Sequence, residues 1–241
     1  MQSDRSDETF DMATSSSRPR FLRSHLWTPF VLVVIALACL ALLDGDRRLA
    51  QSFFFDAAMQ TWSGAQSVWA NDVVHRGGRN LMRFIVVLAI AGWAASYWSA
   101  SLASHRRALG YLALCLAVVP LTVGVLKEIT NVDCPWSLQG FGGDRPVIHW
   151  YQDRPDELPR TACFPGAHSS SAFALFALYF LWLGSHPARA RIALVCVLTL
   201  GSLFSLAQQS RGAHFISHDL ASALIAWLIC FALYMKVLRR A

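Results

Sequence analysis

The chain has 241 residues, of which 55% are hydrophobic and only 15% are charged, and its mean hydropathy is +0.39. A soluble domain carries about 25% charged residues, so this composition excludes an ordinary soluble enzyme and indicates an integral membrane protein. The formal net charge is +6, which basic loops on a lipid bilayer explain better than nucleic-acid binding. We therefore expect the bilayer as a partner and no nucleic acid.

The first residues, 1–25, are polar and rich in serine, and they are predicted to form a disordered cytoplasmic tail. The rest, 26–241, is predicted to be one membrane domain with six spans. The apolar runs that predict these spans are 26–43, 81–100, 108–126, 169–184, 192–207 and 220–235.

Basic residues give the predicted orientation. Arg106 and Arg107 lie between spans two and three, and Arg189 and Arg191 lie between spans four and five. These loops and both termini fall on one face, which the positive-inside rule makes cytoplasmic. The long loop 128–167 then lies on the outer face, and we expect a bacterial inner (plasma) membrane with a periplasmic or extracellular site.

The semi-polar stretch 49–75 contains interleaved aromatic residues, which favours one or two helices lying in the membrane interface, although a simple loop is an alternative. The glycine-containing residues 75–79 predict a turn before span two.

Two of the six cysteines, Cys134 and Cys163, bracket the long outer loop, while the others lie inside apolar runs. Outside the cytoplasm a disulfide is permitted, and we expect these two cysteines to pair. Two free thiols are the alternative. No Cys/His spacing typical of a metal site occurs, and no metal or other cofactor is predicted.

Three polar motifs converge on the outer face. Lys127 ends span three and is followed by the Cys-Pro-Trp of 134–136. A Pro-Gly-Ala-His sequence, 165–168, leads into span four, and a Gln-Gln-Ser-Arg-Gly-Ala-His sequence, 208–214, leads into span six. Ionisable groups at membrane depth indicate a functional site. Two histidines beside cations suggest phosphate chemistry, with one imidazole attacking and the other donating a proton.

These motifs, in this order, resemble those of the type 2 phosphatidic acid phosphatase superfamily, which shares its site with vanadium haloperoxidases. The family pattern is Lys-x6-Arg-Pro, Pro-Ser-Gly-His and Ser-Arg-x5-His-x3-Asp. The resemblance implies an all-α, polytopic bundle of six transmembrane helices with added interfacial helices. It also implies that Lys127 binds phosphate, that His168 protonates the leaving group and that His214 is the nucleophile.

The sequence departs from the family pattern at several positions. Cys134 occupies the position of the first arginine, and Gln208 that of the second arginine. Gly166 and Ala167 replace the Ser-Gly pair, and His218 occupies the position of the aspartate.

Nearby residues are predicted to compensate. Arg211 lies about one helical turn after Gln208 and should reach the same phosphate, and Arg145 is a candidate second cation. On a helix His218 would face His214 at i+4 and orient it, with Asp219 supporting His218. The backbone amides at Gly166 and Ala167 are also candidate phosphate ligands.

The resemblance implies a metal-independent lipid phosphatase that forms a phosphohistidine on a membrane lipid phosphate or diphosphate. Candidate substrates are phosphatidic acid, phosphatidylglycerol phosphate, polyprenyl diphosphate and lipid A. Two alternatives remain open: a phosphotransferase that uses a lipid acceptor, and a non-catalytic lipid-binding relative. The oligomeric state is left open.

Overall fold

The chain folds mostly into helices (71%), and the computed structural model describes residues 19–148 and 152–239. The helices are α1 (Pro19–Leu42), α2 (Gly45–Phe53), α3 (Trp69–Ala95), α4 (Ala100–Ala103), α5 (Arg106–Thr130), α6 (Ala167–Trp182), α7 (Pro187–Ser210) and α8 (Ile216–Leu238). Two short antiparallel strands, β1 (Phe55–Asp56) and β2 (Thr61–Trp62), form a hairpin between α2 and α3.

Five helices in the described part of the chain are long and apolar enough to cross a membrane: α1, α3, α5 (within the segment Arg106–Ser137), α7 and α8. The helix α6 lies where the fourth span is predicted and is also apolar, but it has fewer than 18 residues. The protein is thus a helical membrane protein with five candidate spans, and the six-span arrangement stays a prediction.

The first membrane helix begins earlier than its apolar run. Residues 19–25, assigned from sequence to the disordered tail, belong to α1. The reason is tertiary packing, since Phe21 and Leu22 lie against the main core and Trp227 donates a hydrogen bond to the carbonyl of His25. Residues 1–18 of the predicted tail, and 240–241 of the predicted membrane domain, lie outside the described residues.

The stretch predicted to be interfacial, 49–75, holds the end of α2, the hairpin and the first turns of α3, which starts at Trp69. The predicted turn at 75–79 is wrong, because Gly77 and Gly78 have helical backbone angles. Their lack of a side chain serves packing instead. A Cβ at Gly78 would lie 2.5 Å from the Phe204 ring of α7, so only glycine allows the two helices to approach this closely.

The helix α6 packs against α5, α7 and α8, and its small residues Ala172, Ala174 and Ala177 are fully buried. Small side chains allow membrane helices to approach closely. The chemistry-bearing motifs meet where α5 ends and where α6 and α8 begin, which we call the site end of the bundle.

A second, smaller core lies at the site end. Its ring-to-ring contacts join the hairpin, the loop after α5 and the segment before α8; for example, the Phe141 centroid lies 5.2 Å from Trp62 and 5.7 Å from Phe215. The members of this aromatic cap cluster are Ala50, Phe55, Trp62, Leu138, Phe141 and Phe215. Because Phe215 directly follows His214, the cluster fixes the backbone that carries this histidine.

Candidate active site

His214 lies in the short segment between α7 and α8, two residues before α8 begins, and it is buried. Its Nδ1 is 2.9 Å from Oδ1 of Asp219, which lies in the first turn of α8 and is also buried. A carboxylate accepts a hydrogen bond from Nδ1–H, so the lone pair of the neutral ring resides on Nε2. The pair therefore presents His214 Nε2 as a nucleophile.

The Asp219 carboxylate is held by two further donors. Ser169 Oγ of α6 donates to Oδ1 at 2.7 Å, and Gln209 Nε2 of α7 donates to Oδ2 at 3.0 Å. The carboxylate therefore joins three elements of the bundle, and its orientation relative to His214 is fixed from both sides.

The expected role of His218 is not what the structure shows, since Asp219 and not His218 partners His214. The i+4 relation fails because α8 starts at Ile216, so that His214 is not on the helix. The two imidazole centroids are 6.0 Å apart, and within the described part of the chain the buried Nδ1 of His218 has no hydrogen-bond partner. His218 contributes its backbone carbonyl, which accepts the Gly166 N–H at 3.0 Å.

His168 is the second residue of α6. Its ring stacks on Phe204 at a centroid distance of 4.3 Å and also makes a hydrogen bond to the backbone of Val74. The Nε2 atom is buried and has no partner among residues 19–148 and 152–239. His214 lies within electrostatic range of His168, so a free imidazole nitrogen stands near the proposed nucleophile.

Arg211 follows the last residue of α7, with its guanidinium held in place on two sides. Its Nε donates to Asn71 Oδ1 at 2.6 Å, and Nη1 donates to Gln208 Oε1 at 2.7 Å. Burial lowers the pKa of this guanidinium from its ordinary value, but an arginine in a protein keeps its charge. The charge of Arg211 acts electrostatically on His75 and His168.

Lys127 lies in the last turn of α5. It is half-buried and lies within electrostatic range of Asp219 and His218. One cation, Lys127, therefore acts on Asp219, the partner of His214, and the other, Arg211, acts on His168.

Arg145, predicted as a further cation of the site, lies instead on Asp133. Its Nη1 is 2.5 Å from Oδ1 of this buried carboxylate, which Arg154 and Thr161 also contact. The loop after α5 uses Arg145 to neutralise a buried charge, which explains why it is not positioned as a phosphate ligand.

Gly166 is predicted to offer its amide to phosphate, but this N–H is occupied by the carbonyl of His218. The glycine is required for a different reason. A Cβ here would lie 2.6 Å from Asp219 Oδ1 and 2.8 Å from His214 Nδ1, and so would break that pair. Ala167 opens α6, where first-turn amides lack intrahelical acceptors, and it stays a predicted ligand.

The structure joins Cys134 and Cys163 in a disulfide with a Cα–Cα distance of 5.1 Å. Phe164 follows directly, and its ring stands edge-on to His218 at a centroid distance of 5.3 Å. The bridge therefore fastens the end of the outer loop next to residues 165–168.

Sequence reasoning missed two polar residues of α3, Asn71 and His75. His75 Nδ1 is 2.6 Å from Gln208 Nε2, and its ring centroid is 4.8 Å from that of His168. A signal was present, since His75, like His168, precedes an apolar run (81–100 and 169–184, respectively). The prediction of a turn at 75–79 separated it from the site.

A cavity of about 600 Å³ opens beside these imidazoles, between α3, α5 and α6. Polar residues His75, Arg79 and His168 line part of it, and Met82, Val86 and Pro120 line the apolar part. The cavity thus joins the imidazoles to the apolar region between the helices. In the described part of the chain, no group of three or more His, Cys, Asp or Glu side chains is arranged to hold a metal.

The model of the PAP2 superfamily matches residues 108–241, which include α5 from residue 108, all of α6 to α8 as described, and the residues Lys127, His168 and His214. Comparisons with curated proteins and with solved structures returned no match. Members of this superfamily are generally phosphatases. The match covers more than half of the chain and confirms the resemblance seen in the motifs: the chain belongs to the type 2 phosphatidic acid phosphatase (PAP2) superfamily.

Proposed function

We propose that the protein is an integral membrane lipid phosphatase that works through a phosphohistidine on His214. The observation that best supports this proposal is the hydrogen bond between His214 Nδ1 and Asp219, which leaves Nε2 as the nucleophilic atom. Family membership adds phosphatase-type activity on phosphorylated substrates. His168, whose Nε2 has no hydrogen-bond partner among the described residues, supplies the second imidazole that such a reaction needs.

In the first step, His214 Nε2 attacks phosphorus in line and a P–N bond forms while the bond to the lipid oxygen breaks. His168, in its protonated form, gives its proton to that leaving oxygen. Lys127 and Arg211 stabilise the charge on the equatorial oxygens. Asp219 stabilises the positive charge that develops on the His214 ring.

In the second step, water attacks the phosphohistidine and His168 takes its proton. The P–N bond breaks, inorganic phosphate leaves and both imidazoles return to their starting states. These residues supply a nucleophile, an acid–base group and two cations, so the proposed reaction uses no metal.

The cavity beside His75 and His168 supports a lipid substrate. Its apolar part, with Met82 and Val86, suits an acyl or prenyl chain, while its polar part lies at the imidazoles. Phosphatidic acid, phosphatidylglycerol phosphate, polyprenyl diphosphate and phosphorylated lipid A share this combination of phosphate and long apolar tail. We propose that the site faces the outer side of a bacterial inner membrane, with both termini cytoplasmic.

The test is a phosphate-release screen of the purified protein in detergent across these lipid phosphates, with His214→Ala as the inactive variant. The matched control is His186→Ala, since His186 contacts Ser185 and precedes α7, at the end of that helix remote from Gln208 and Arg211. We expect the wild type and the control to release phosphate and His214→Ala to release none. A phosphohistidine should be trapped in the active proteins. Equal release by His214→Ala would refute the role of His214. Turnover that requires an added lipid acceptor would indicate a phosphotransferase, and no turnover or orthovanadate binding would indicate a non-catalytic relative.

A further inference from the structure

The residue Gln208 stands where the family pattern has an arginine, and its side-chain amide is held in one orientation. Arg211 Nη1 is a donor and lies 2.7 Å from one end of this amide, so that end must be the oxygen. Arg211 itself is fixed by Asn71 through Nε. The other end of the amide, Nε2, is therefore a donor.

This donor faces His75, with Gln208 Nε2 2.6 Å from His75 Nδ1. A donor at this distance requires Nδ1 to accept, so the proton of the neutral ring resides on Nε2. The chain of bonds from Asn71 through Arg211 and Gln208 thus selects the tautomer of His75.

The Nε2–H of His75 is available for a ligand. Among the described residues it has no hydrogen-bond partner, and His75 lines the same cavity as Ala167 and His168. The His75 and His168 ring centroids are 4.8 Å apart, and His214 lies within electrostatic range of both. A phosphate between His168 and His214 would therefore lie within reach of a third imidazole.

We infer that His75 is a third imidazole of the active site, fixed as the Nε2–H tautomer by Gln208, and that it donates a hydrogen bond to an oxygen of the bound phosphate. The inference rests on the proposed function, because it requires that phosphate binds beside His168 and His214. It gives Gln208 a role as well: the neutral amide that replaces the family's arginine positions a neutral donor.

The discriminating variant is His75→Asn. Asparagine is too short to reach the position of imidazole Nε2, but its amide oxygen lies near the position of Nδ1 and can still accept from Gln208. It therefore keeps the structural contact and removes the phosphate donor. His75→Gln extends its amide nitrogen to about the position of Nε2 and should restore part of the binding.

The experiment measures the dissociation constant of orthovanadate with the full-length protein in detergent, by calorimetry, together with the melting temperature. Loss of a hydrogen bond to a charged group predicts binding weaker by roughly 10- to 100-fold for His75→Asn. His75→Gln should lie between that variant and the wild type, with all melting temperatures alike. The matched control is His105→Asn, which precedes α5 at the end opposite to Lys127 and should bind as the wild type does.

Binding by His75→Asn within twofold of the wild type would overturn the inference while leaving the proposed function intact. A wild type that neither binds orthovanadate nor forms a phosphohistidine would overturn both. Should the variants fail to fold, nitrogen NMR of the ¹⁵N-histidine-labelled wild type decides. An Nε2–H signal at His75 that shifts with orthovanadate supports the inference, and an Nδ1–H tautomer refutes it.

Discussion

Replacing Asp219 with asparagine removes the negative charge beside the proposed nucleophile while keeping its shape. When His214 Nε2 attacks phosphorus, the ring becomes positive, and its Nδ1 is 2.9 Å from Asp219 Oδ1. With charge centres about 4 Å apart and an effective dielectric constant of about 20, the carboxylate stabilises that charge by about 4 kcal/mol. Its loss should slow phosphate release by roughly a thousandfold.

Asparagine is preferable to alanine in this test. Asp219→Ala would leave the donors on Gln209 and His214 without an acceptor, at a cost of about 1–3 kcal/mol each, while Ser169 would keep the Gly166 carbonyl. Asparagine keeps one acceptor oxygen for His214 and Ser169, and the Gln209 amide can rotate to face the new NH₂ group. The fold should therefore survive, and kcat reports the missing charge.

The matched control is Asp133→Asn, which also removes a buried carboxylate charge at the site end but contacts Arg145 and Arg154 instead of a histidine. We expect it to lower the melting temperature and to leave kcat within about threefold of the wild type. The assay is the initial rate of phosphate release in detergent. A kcat of Asp219→Asn within about fivefold of the wild type, or equal losses in both variants, would refute this reasoning.

Three further predictions follow from the same contacts. Gly166→Ala should reduce phosphate release by roughly tenfold or more, because its methyl group would stand within 3 Å of the histidine–aspartate pair; an unchanged initial rate would contradict this. Replacing Cys134 and Cys163 with serine removes a bridge across 29 positions and should lower the free energy of unfolding by about 3.6 kcal/mol; coinciding denaturation curves of the two proteins would contradict this. Arg145→Gln should lower the melting temperature yet keep orthovanadate affinity, whereas Arg211→Gln should weaken that affinity by roughly tenfold or more. A larger loss of affinity in Arg145→Gln than in Arg211→Gln would indicate that Arg145 binds phosphate.

The structure brings to the candidate site those residues that the sequence predicted from local motifs. Lys127, His168, Arg211 and His214 each stand at the border of an apolar run, and helix ends bring them to one end of the bundle. The family pattern also predicts the order in which Lys127, His168 and His214 follow one another along the chain. These residues could be found because a charged or polar group at such a border is unusual in a membrane sequence.

The errors concern contacts that depend on where a helix begins or on distant side chains. The pairing of His214 with His218 assumed a helix that includes both, but α8 begins at Ile216. The placement of Arg145 depended on Asp133, whose burial no local pattern reveals. His75 was not predicted as a site residue because the two glycines after it predicted a turn. These glycines instead allow α3 to approach Phe204 of α7.

The departures from the family pattern at 166 and 219 depend on each other. Successive residues of a helix are turned by about 100°, so placing the aspartate one residue later than in the pattern directs it to a different side of α8. There it meets Ser169 and Gln209, and it occupies the space that a side chain at position 166 would fill. Restoring the family's serine at 166 alone would therefore place a side chain against Asp219. The glycine and the shifted aspartate form one arrangement that keeps His214 oriented, which argues that this chain has rebuilt the carboxylate–histidine pair in a different register.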